Sequence, residues 1–518
     1  MKALPIGIQD FESLRSGGYL YVDKTECFYD VFKHGTYYFL SRPRRFGKSM
    51  MLSTLKYLYQ GKKDLFKGLW IEDKWNWDKV YPVIYIDIND AVTKGGANLA
   101  ESLMIIISNQ ANQHEIELTA KDPGNALREL IHRLGAADSK CVVLIDEYDK
   151  PITDYITEPE ISEQHVKELK SFYGILKGSD QYLHKVIISG VSKYGKVSIF
   201  SDLNNLNDIS MKADAAKICG YTQEELEYVF KDYFIKASEK FKSPLSEIFA
   251  VVKNWYNGYV FDDELTAKLY NPFSILNFFD KYQFKNYWFE TGTPTFLTKI
   301  ISEEKIDPAR LEYLKATDIM FKSADIEHID ILSLLYQTGY LSIKDIVGQY
   351  DRRRYILGFP NYEVRSSFMT YLLSEYLNES PTLVSSDIIV KIQDALWERD
   401  WDSFINVLNH VFATVPYQIF NTNEAYYHSL VHVALTLSGH LVLSEVLTNK
   451  GRIDTVLETD DLVVIFEFKM DSSPELALQQ IHEKKYAERY GKKDKDLVLI
   501  GVNFDSAKRS ISAYKVEI

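Results

Sequence analysis

The chain has 518 residues, 46% of them hydrophobic and 26% charged, with a formal net charge of −13. At about 100–200 residues per domain, three or four folded units are expected, and the 36 tyrosines and 28 phenylalanines exclude a disordered polymer. The acidic balance excludes a protein that coats nucleic acid over its whole surface. The three scattered cysteines, Cys27, Cys141 and Cys219, exclude a disulfide framework and a zinc-ligand spacing.

The first residues, "MKALPIGIQDFESLR", are interrupted by Asp10 and Glu12, so they do not read as a signal segment. No apolar run reaches the roughly 18 residues of a membrane span. Reduced cysteines and no span predict a cytoplasmic protein. From Thr36 to Ser210 the short apolar runs "TYYFL", "PVIYIDIN", "CVVLIDEYD" and "KVIISGVS" alternate with helical stretches. That alternation predicts a parallel sheet covered on both faces.

After the first run comes "SRPRRFGKSMMLSTL". A phosphate loop reads G-x-x-x-x-G-K-[ST] between a strand and a helix. Here Arg42 stands where the first glycine is expected, and Gly47-Lys48-Ser49 closes the motif. The expected ATP site is Arg44, Arg45, Phe46, Gly47, Lys48 and Ser49. Backbone N–H groups and a helix N-terminus face the phosphates. Lys48 reaches the β- and γ-phosphates, Ser49 ligates Mg²⁺, and the charges of Arg42, Arg44 and Arg45 favour a polyanion. A basic surface turn would carry the same letters. What separates the two readings is "CVVLIDEYDK", a buried run ending in two acids at the sheet edge where open α/β sheets bind ligands. Asp146 is expected to hold the magnesium through water, and Glu147 to orient and deprotonate the attacking water. Ser189 or Ser192, after the next strand, is a candidate γ-phosphate sensor. Lys193 and Lys196 either sense phosphate or are solvated.

The region from Tyr221 to Asp325 reads as mostly helical, with turns at "WYNGYVF", "YNPFS" and "TGTP". Its aromatics read as packing rather than as base-stacking platforms. The stretch "DILSLLYQTGYLSIKDIVGQYDRRRYILGFPNYEVRSSFM" predicts helix, turn, strand, charged tip, strand, helix, the order of a winged helix. Arg352, Arg353 and Arg354 occupy the tip, where they either touch phosphates or form a solvated turn.

From Phe420 the pattern changes again: a helix "EAYYHSLVHVALTL", strands "HLVLSEVLT", "GRIDTVLET" and "LVVIFEFKM", a helix "SPELALQQIHEKKYAERYG" and a strand "DLVLIGVNF". The order is αβββαβ. Alternation puts Glu467 and Lys469 on one face of a strand, and Asp454 on the neighbouring strand can come alongside. Two carboxylates can hold a divalent metal, Mg²⁺ or Mn²⁺, while the lysine polarises or deprotonates water for phosphodiester hydrolysis. A surface hairpin with alternating charges is the plain alternative. Glu424 and Glu445 are rival acids. None of His34, His184, His428 and His482 is assigned to a metal.

Together these stretches resemble the bacterial AAA-ATPase-like family whose members carry a C-terminal PD-(D/E)XK nuclease-like domain. The resemblance rests on "YVDKTECF", "FLSRPRRFGKSMMLSTL", "VVLIDEYDKPI", "GVSKYGKVSIFSDLNNLNDIS", "WYNGYVF", "YNPFSI", "YWFETGTPTFL", "LLYQTGYLSI" and "GRIDTVLET…FEFKMD". It implies that an arginine at the first loop position is usual. It also makes Asp454, Glu467 and Lys469 the nuclease set, with Ile453 at the usual proline position, and makes Gln480 resemble a glutamine used near the metal.

The fold expected is α/β: a P-loop NTPase parallel sheet (1–215), a helical lid region (216–325), a winged-helix-like and helical connector (326–415), and a small αβββαβ restriction-endonuclease-like domain (416–518). The function expected is ATP hydrolysis joined to a metal-dependent nuclease acting on nucleic acid, DNA before RNA. The alternative is an ATP-dependent regulatory or signalling scaffold whose last domain binds without cutting. A homo-oligomer or a protein partner is compatible with either.

Overall fold

The computed structural model describes residues 1–91, 98–135, 140–156, 158–193, 199–200, 203, 205–289, 311–321, 330–349, 352–414, 424–438, 441–447, 451–459, 461–490 and 495–518. Two compact units divide the chain: Met1–Gly292 with Lys315–Glu363, and Thr293–Leu314 with Val364–Ile518.

In the first unit the apolar runs become β1 (Tyr37–Ser41), β2 (Val83–Asp87), β3 (Cys141–Asp146) and β4 (Leu183–Gly190), joined by a short β5 (Asn207–Asp208). The sheet order is β2-β3-β4-β1-β5 and every pairing is parallel. β1 and β3 are buried along their whole length, as expected for strands covered on both faces. The register aligns Ser41 with Gly190 and Asp87 with Asp146, so one sheet edge gathers these strand ends.

Helices Gln223–Val229, Lys231–Phe241, Leu245–Tyr256 and Pro272–Lys281 follow. Their core is aromatic, with Phe230, Phe234, Tyr256, Phe278 and Phe279 all buried. A capping box between Thr222 and Glu225 starts the first of them, and the same Glu225 pairs with Lys24 at 2.6 Å, tying the N-terminal segment to this layer. The helix Ile331–Gln337 then leads into an antiparallel hairpin of β7 (Ser342–Val347) and β8 (Arg354–Gly358), with β6 (Leu314–Ala316) beside β8. This is the expected helix–hairpin order. At its tip Arg353 is engaged by the Asp263 carboxylate, 3.5 Å away, and its carbonyl.

The second unit carries β9 (Leu441–Leu447), β10 (Arg452–Glu458), β11 (Leu462–Met470), β12 (Asp496–Asp505) and β13 (Ser510–Glu517) in the order β13-β12-β11-β10-β9. β11 pairs parallel with β12 and antiparallel with β10. Ile453, Val456, Val463 and Ile465 cluster with Leu478 and Ile481 of the helix Pro474–Glu483. On β11 the alternate residues Phe466 and Phe468 belong to a second ring cluster with Phe404, Phe504 and Tyr427. The sequence reading stops one strand short: β13 pairs antiparallel with β12 and closes that edge. The long helix expected from Ser473 ends at Glu483, and a separate turn covers Tyr486–Arg489.

Candidate functional site

At the edge of the first sheet, the chain leaves β1 at Ser41 and enters the helix Lys48–Tyr59 at Lys48. Arg45 (φ 64) and Gly47 (φ 97) are left-handed, and no side chain caps the helix. Its first N–H groups therefore lack a side-chain acceptor, which is the arrangement that receives an anion.

Elements much later in the chain hold each loop residue. The Arg42 guanidinium donates to the carbonyls of Ser41 (2.9 Å), Ser210 (2.8 Å) and Ala215 (3.0 Å) and lies 4.4 Å over the Phe261 ring. This corrects the expectation that Arg42 offers its charge to a polyanion. The side chain is buried, and burial lowers its pKa. It occupies the glycine position by pinning the loop to the segment after β5. The Arg44 carbonyl accepts from Trp288 Nε1 at 2.9 Å. Arg45 stacks 4.0 Å over Phe273. Phe46 is wholly buried edge-on to Tyr259 and Phe261, so only its backbone belongs to the cradle. Gly339, at φ +92, lets the chain press on Pro43, where a Cβ would sit 2.7 Å away.

Lys48 is almost fully buried. Its ammonium donates to the carbonyls of Arg42 (3.2 Å) and Pro43 (3.3 Å) and pairs with Glu147 at 3.2 Å. Asp146 Oδ1 accepts the Ser189 hydroxyl at 2.5 Å and the Glu147 N–H at 3.0 Å. Asp146 Oδ2 is buried with no hydrogen-bond partner. Burial first, and then the charge of Glu147, raise the Asp146 pKa; Lys48, Ser189 and Ser49 oppose that shift. A buried carboxylate with one oxygen left over is costly unless a cation completes it, and Ser49 stands on the same carboxylate. This set fits a hard cation. Ser192 does not face outward as a sensor would, because its hydroxyl donates to Asp149 at 2.7 Å. Lys193 pairs with Asp208 at 2.9 Å. Lys196 lies outside the described residues. The sequence reading passed over Asp87, in register with Asp146 and shifted upward chiefly by burial. The signal was there: "VIYID", like "VVLID", ends a strand in an acid.

In the second unit Asp454 and Glu467 come together across β10 and β11. Regular pairing is recorded to Thr455 opposite Phe466; one step on, the Asp454 carboxylate accepts the Phe468 N–H at 2.9 Å. Glu467 Oε1 accepts from Lys469 Nζ at 3.2 Å and from the Gln480 amide, while Oε2 is buried and unpartnered. Burial, then the nearby Asp454 charge, raise the Glu467 carboxyl to about 7. Burial likewise raises Asp454, against the Phe468 N–H and the charges of His428 and Lys469. Here too the leftover oxygen fits a divalent cation. Among the described residues no group of three or more His, Cys, Asp or Glu side chains converges, so water or substrate oxygens would fill the remaining positions. His428, passed over as a metal ligand, donates from Nε2 to the Asp454 carbonyl at 2.8 Å and so steadies that strand. The Tyr486 hydroxyl donates to the Arg452 carbonyl at 2.7 Å and meets Gln480. The side chains of Glu424 and Glu445 lie outside the described residues.

Comparison with known proteins agrees with this division. A family model described as "Predicted AAA-ATPase" matches residues 5–200, and one described as "PD-(D/E)XK nuclease superfamily" matches residues 422–514. The "Uncharacterized protein in vnfD 5'region" of Azotobacter chroococcum mcd 1 is 37% identical over 525 aligned positions, covering 100% of this chain and 99% of that protein. Among solved structures, the Aeropyrum pernix ORC1 protein in complex with DNA matches over 68% of this chain and 90% of that chain. The identity is 9% and the TM-score 0.24, a likeness too slight to bear on fold or function. Among the described residues no helix is long and apolar enough to cross a membrane. With a relative matched end to end and both domain models found in this order, the chain belongs to the AAA-ATPase-like family that carries a C-terminal PD-(D/E)XK nuclease-like domain.

Proposed function

We propose that the protein binds and hydrolyses ATP in its first unit and cuts nucleic acid, DNA first, in its second. The observation that carries this reading is shared by both units. Each sets on a buried strand a carboxylate with one unpartnered oxygen, Asp146 Oδ2 at the end of β3 and Glu467 Oε2 within β11, in a site that also holds a paired lysine.

At the first site the backbone of Arg44 to Ser49 cradles the phosphates. Lys48 exchanges Glu147 for the β- and γ-phosphates, which frees Glu147 to orient water and take its proton. Ser49 and Asp146 would hold magnesium. At the second site Asp454 and Glu467 would hold magnesium or manganese. Lys469 polarises or deprotonates the attacking water there, while Gln480 fixes the Glu467 carboxylate. When bound, the cation supplies positive charge to phosphate oxygens and lowers the pKa of water.

The test is a pair of substitutions, read by phosphate release and by cutting of DNA and RNA with Mg²⁺. Lys48→Ala should abolish phosphate release. Lys469→Ala should abolish cutting and spare phosphate release. ATP turnover with no cleavage of either nucleic acid would favour the scaffold reading instead. Both activities surviving both changes would remove the assignment altogether.

A further inference from the structure

The stretch Asp146-Glu147-Tyr148-Asp149 ends in an acid that the proposed hydrolysis does not use. Asp149 is 1% exposed. Its partners are donors from a single segment. Oδ1 accepts the Val191 N–H at 3.1 Å, and Oδ2 accepts the Ser192 N–H at 2.8 Å and the Ser192 hydroxyl at 2.7 Å. Tyr148 grips the same segment, its N–H donating to the Ser189 carbonyl at 3.0 Å and its hydroxyl to the Ser192 carbonyl at 2.9 Å. Gly190 permits the approach: a Cβ there would lie 2.5 Å from Asp149 Oδ1 and from the Tyr148 ring. A buried carboxylate is tolerated when hydrogen bonds replace its water, and these three donors do so.

The grip bears on the groups proposed for chemistry. Glu147, between Asp146 and Tyr148, has φ 52, a left-handed backbone that a residue with a side chain keeps only when its surroundings impose it. Ser189, inside the gripped segment, donates to Asp146 Oδ1 at 2.5 Å. Fixing 189–192 to 148–149 therefore sets both the turn that aims Glu147 and the hydroxyl that orients Asp146.

We infer that Asp149 is a positioning residue for ATP hydrolysis, clamping the segment after β4 so that Glu147 and Asp146 keep their working orientation. This rests on the hydrolysis reading above. Asp149 touches no phosphate in this scheme, so its loss should lower turnover and leave nucleotide binding in place.

The experiment uses the full chain and its Asp149→Asn and Ser192→Ala variants. It reads phosphate release, affinity for a fluorescent ATP analogue, and melting temperature. In Asp149→Asn the amide oxygen can serve only one of the two positions, so an NH2 faces either the Val191 donor or the Ser192 donors. Turnover should fall about 10–100-fold, as for other residues that orient active groups, with analogue affinity within about 3-fold. Ser192→Ala, which removes one hydroxyl, should lose about 3–10-fold. Asp149→Asn turning over like wild type overturns the inference, as does a parallel loss of affinity and turnover. If Asp149→Asn does not fold, Ser192→Ala decides, and unchanged turnover there overturns it. Wild-type protein that binds the analogue and releases no phosphate overturns the hydrolysis reading itself, and this inference with it.

Discussion

The phosphate loop and the carboxylate hairpin are supported from opposite distances. Around the loop the holding groups come from far along the chain: Ser210 and Ala215 on Arg42, Trp288 on Arg44, Gly339 on Pro43. Around the hairpin, the groups on Glu467 come from Asp454, Lys469 and Gln480. A site braced by remote elements can be loosened by substitutions that never touch its ligand. A site braced locally answers mainly to its own residues.

The largest expected effect is on the local site. Glu467→Gln removes the charge but keeps the shape. Mn²⁺ affinity, followed by calorimetry, should fall at least about 100-fold, while the metal-free second unit melts no lower than wild type because a buried carboxylate has been relieved. Undiminished Mn²⁺ binding would dissolve the comparison.

For the remote site the sharpest probe is Gly339→Ala. The φ of +92 and the 2.7 Å approach to Pro43 leave no room for a Cβ. Stability of the first unit should drop by about 1–3 kcal/mol, and ATP affinity should drop with it, although Gly339 is outside the cradle. If affinity holds while stability falls, the loop is less dependent on this support than its packing implies.

The proton adds a smaller effect. Glu467 is raised from 4.5 to about 7 by burial and by Asp454. The folded state therefore holds this proton more tightly than the unfolded chain. The stability that Glu467 contributes to the metal-free second unit is fully present below about pH 4.5 and is lost as pH rises towards 7, by up to about 1.4 kcal/mol per pH unit. Mn²⁺ binding at the proposed site would require the ionised form and should strengthen over the same window. The difference between wild-type and Glu467→Gln denaturation profiles isolates this slope; parallel profiles would contradict it. Smallest is Trp288→Phe, which costs the Arg44 carbonyl one hydrogen bond, about 1 kcal/mol, seen as a several-fold weaker ATP affinity.

Both sites announced themselves in the sequence through short-range pattern. Gly47-Lys48-Ser49 follows an apolar run, Asp146 and Glu147 end another, and Glu467 and Lys469 alternate on a third. What stayed hidden depends on the chain folding back. Arg42 was visible as an anomaly, but its burial among the carbonyls of Ser210 and Ala215 belongs to tertiary structure. Asp149 drew no reading in the sequence, because its donors, Val191 and Ser192, follow a different strand. β13 escaped because "SISAYKVE" mixes charge with apolar residues, as an edge strand does, and only Ile511 of it is buried. The αβββαβ order was readable, whereas the strand that closes it was not.

The support that Gly339 and Trp288 give the loop also orders events during synthesis. A ribosome releases residues 42–47 long before Trp288 and Gly339, so the nascent loop stays unfinished while translation continues. Contacts between such distant residues form late. The loop thus takes its final shape only when the first unit is complete, and it cannot serve as a template for building that unit.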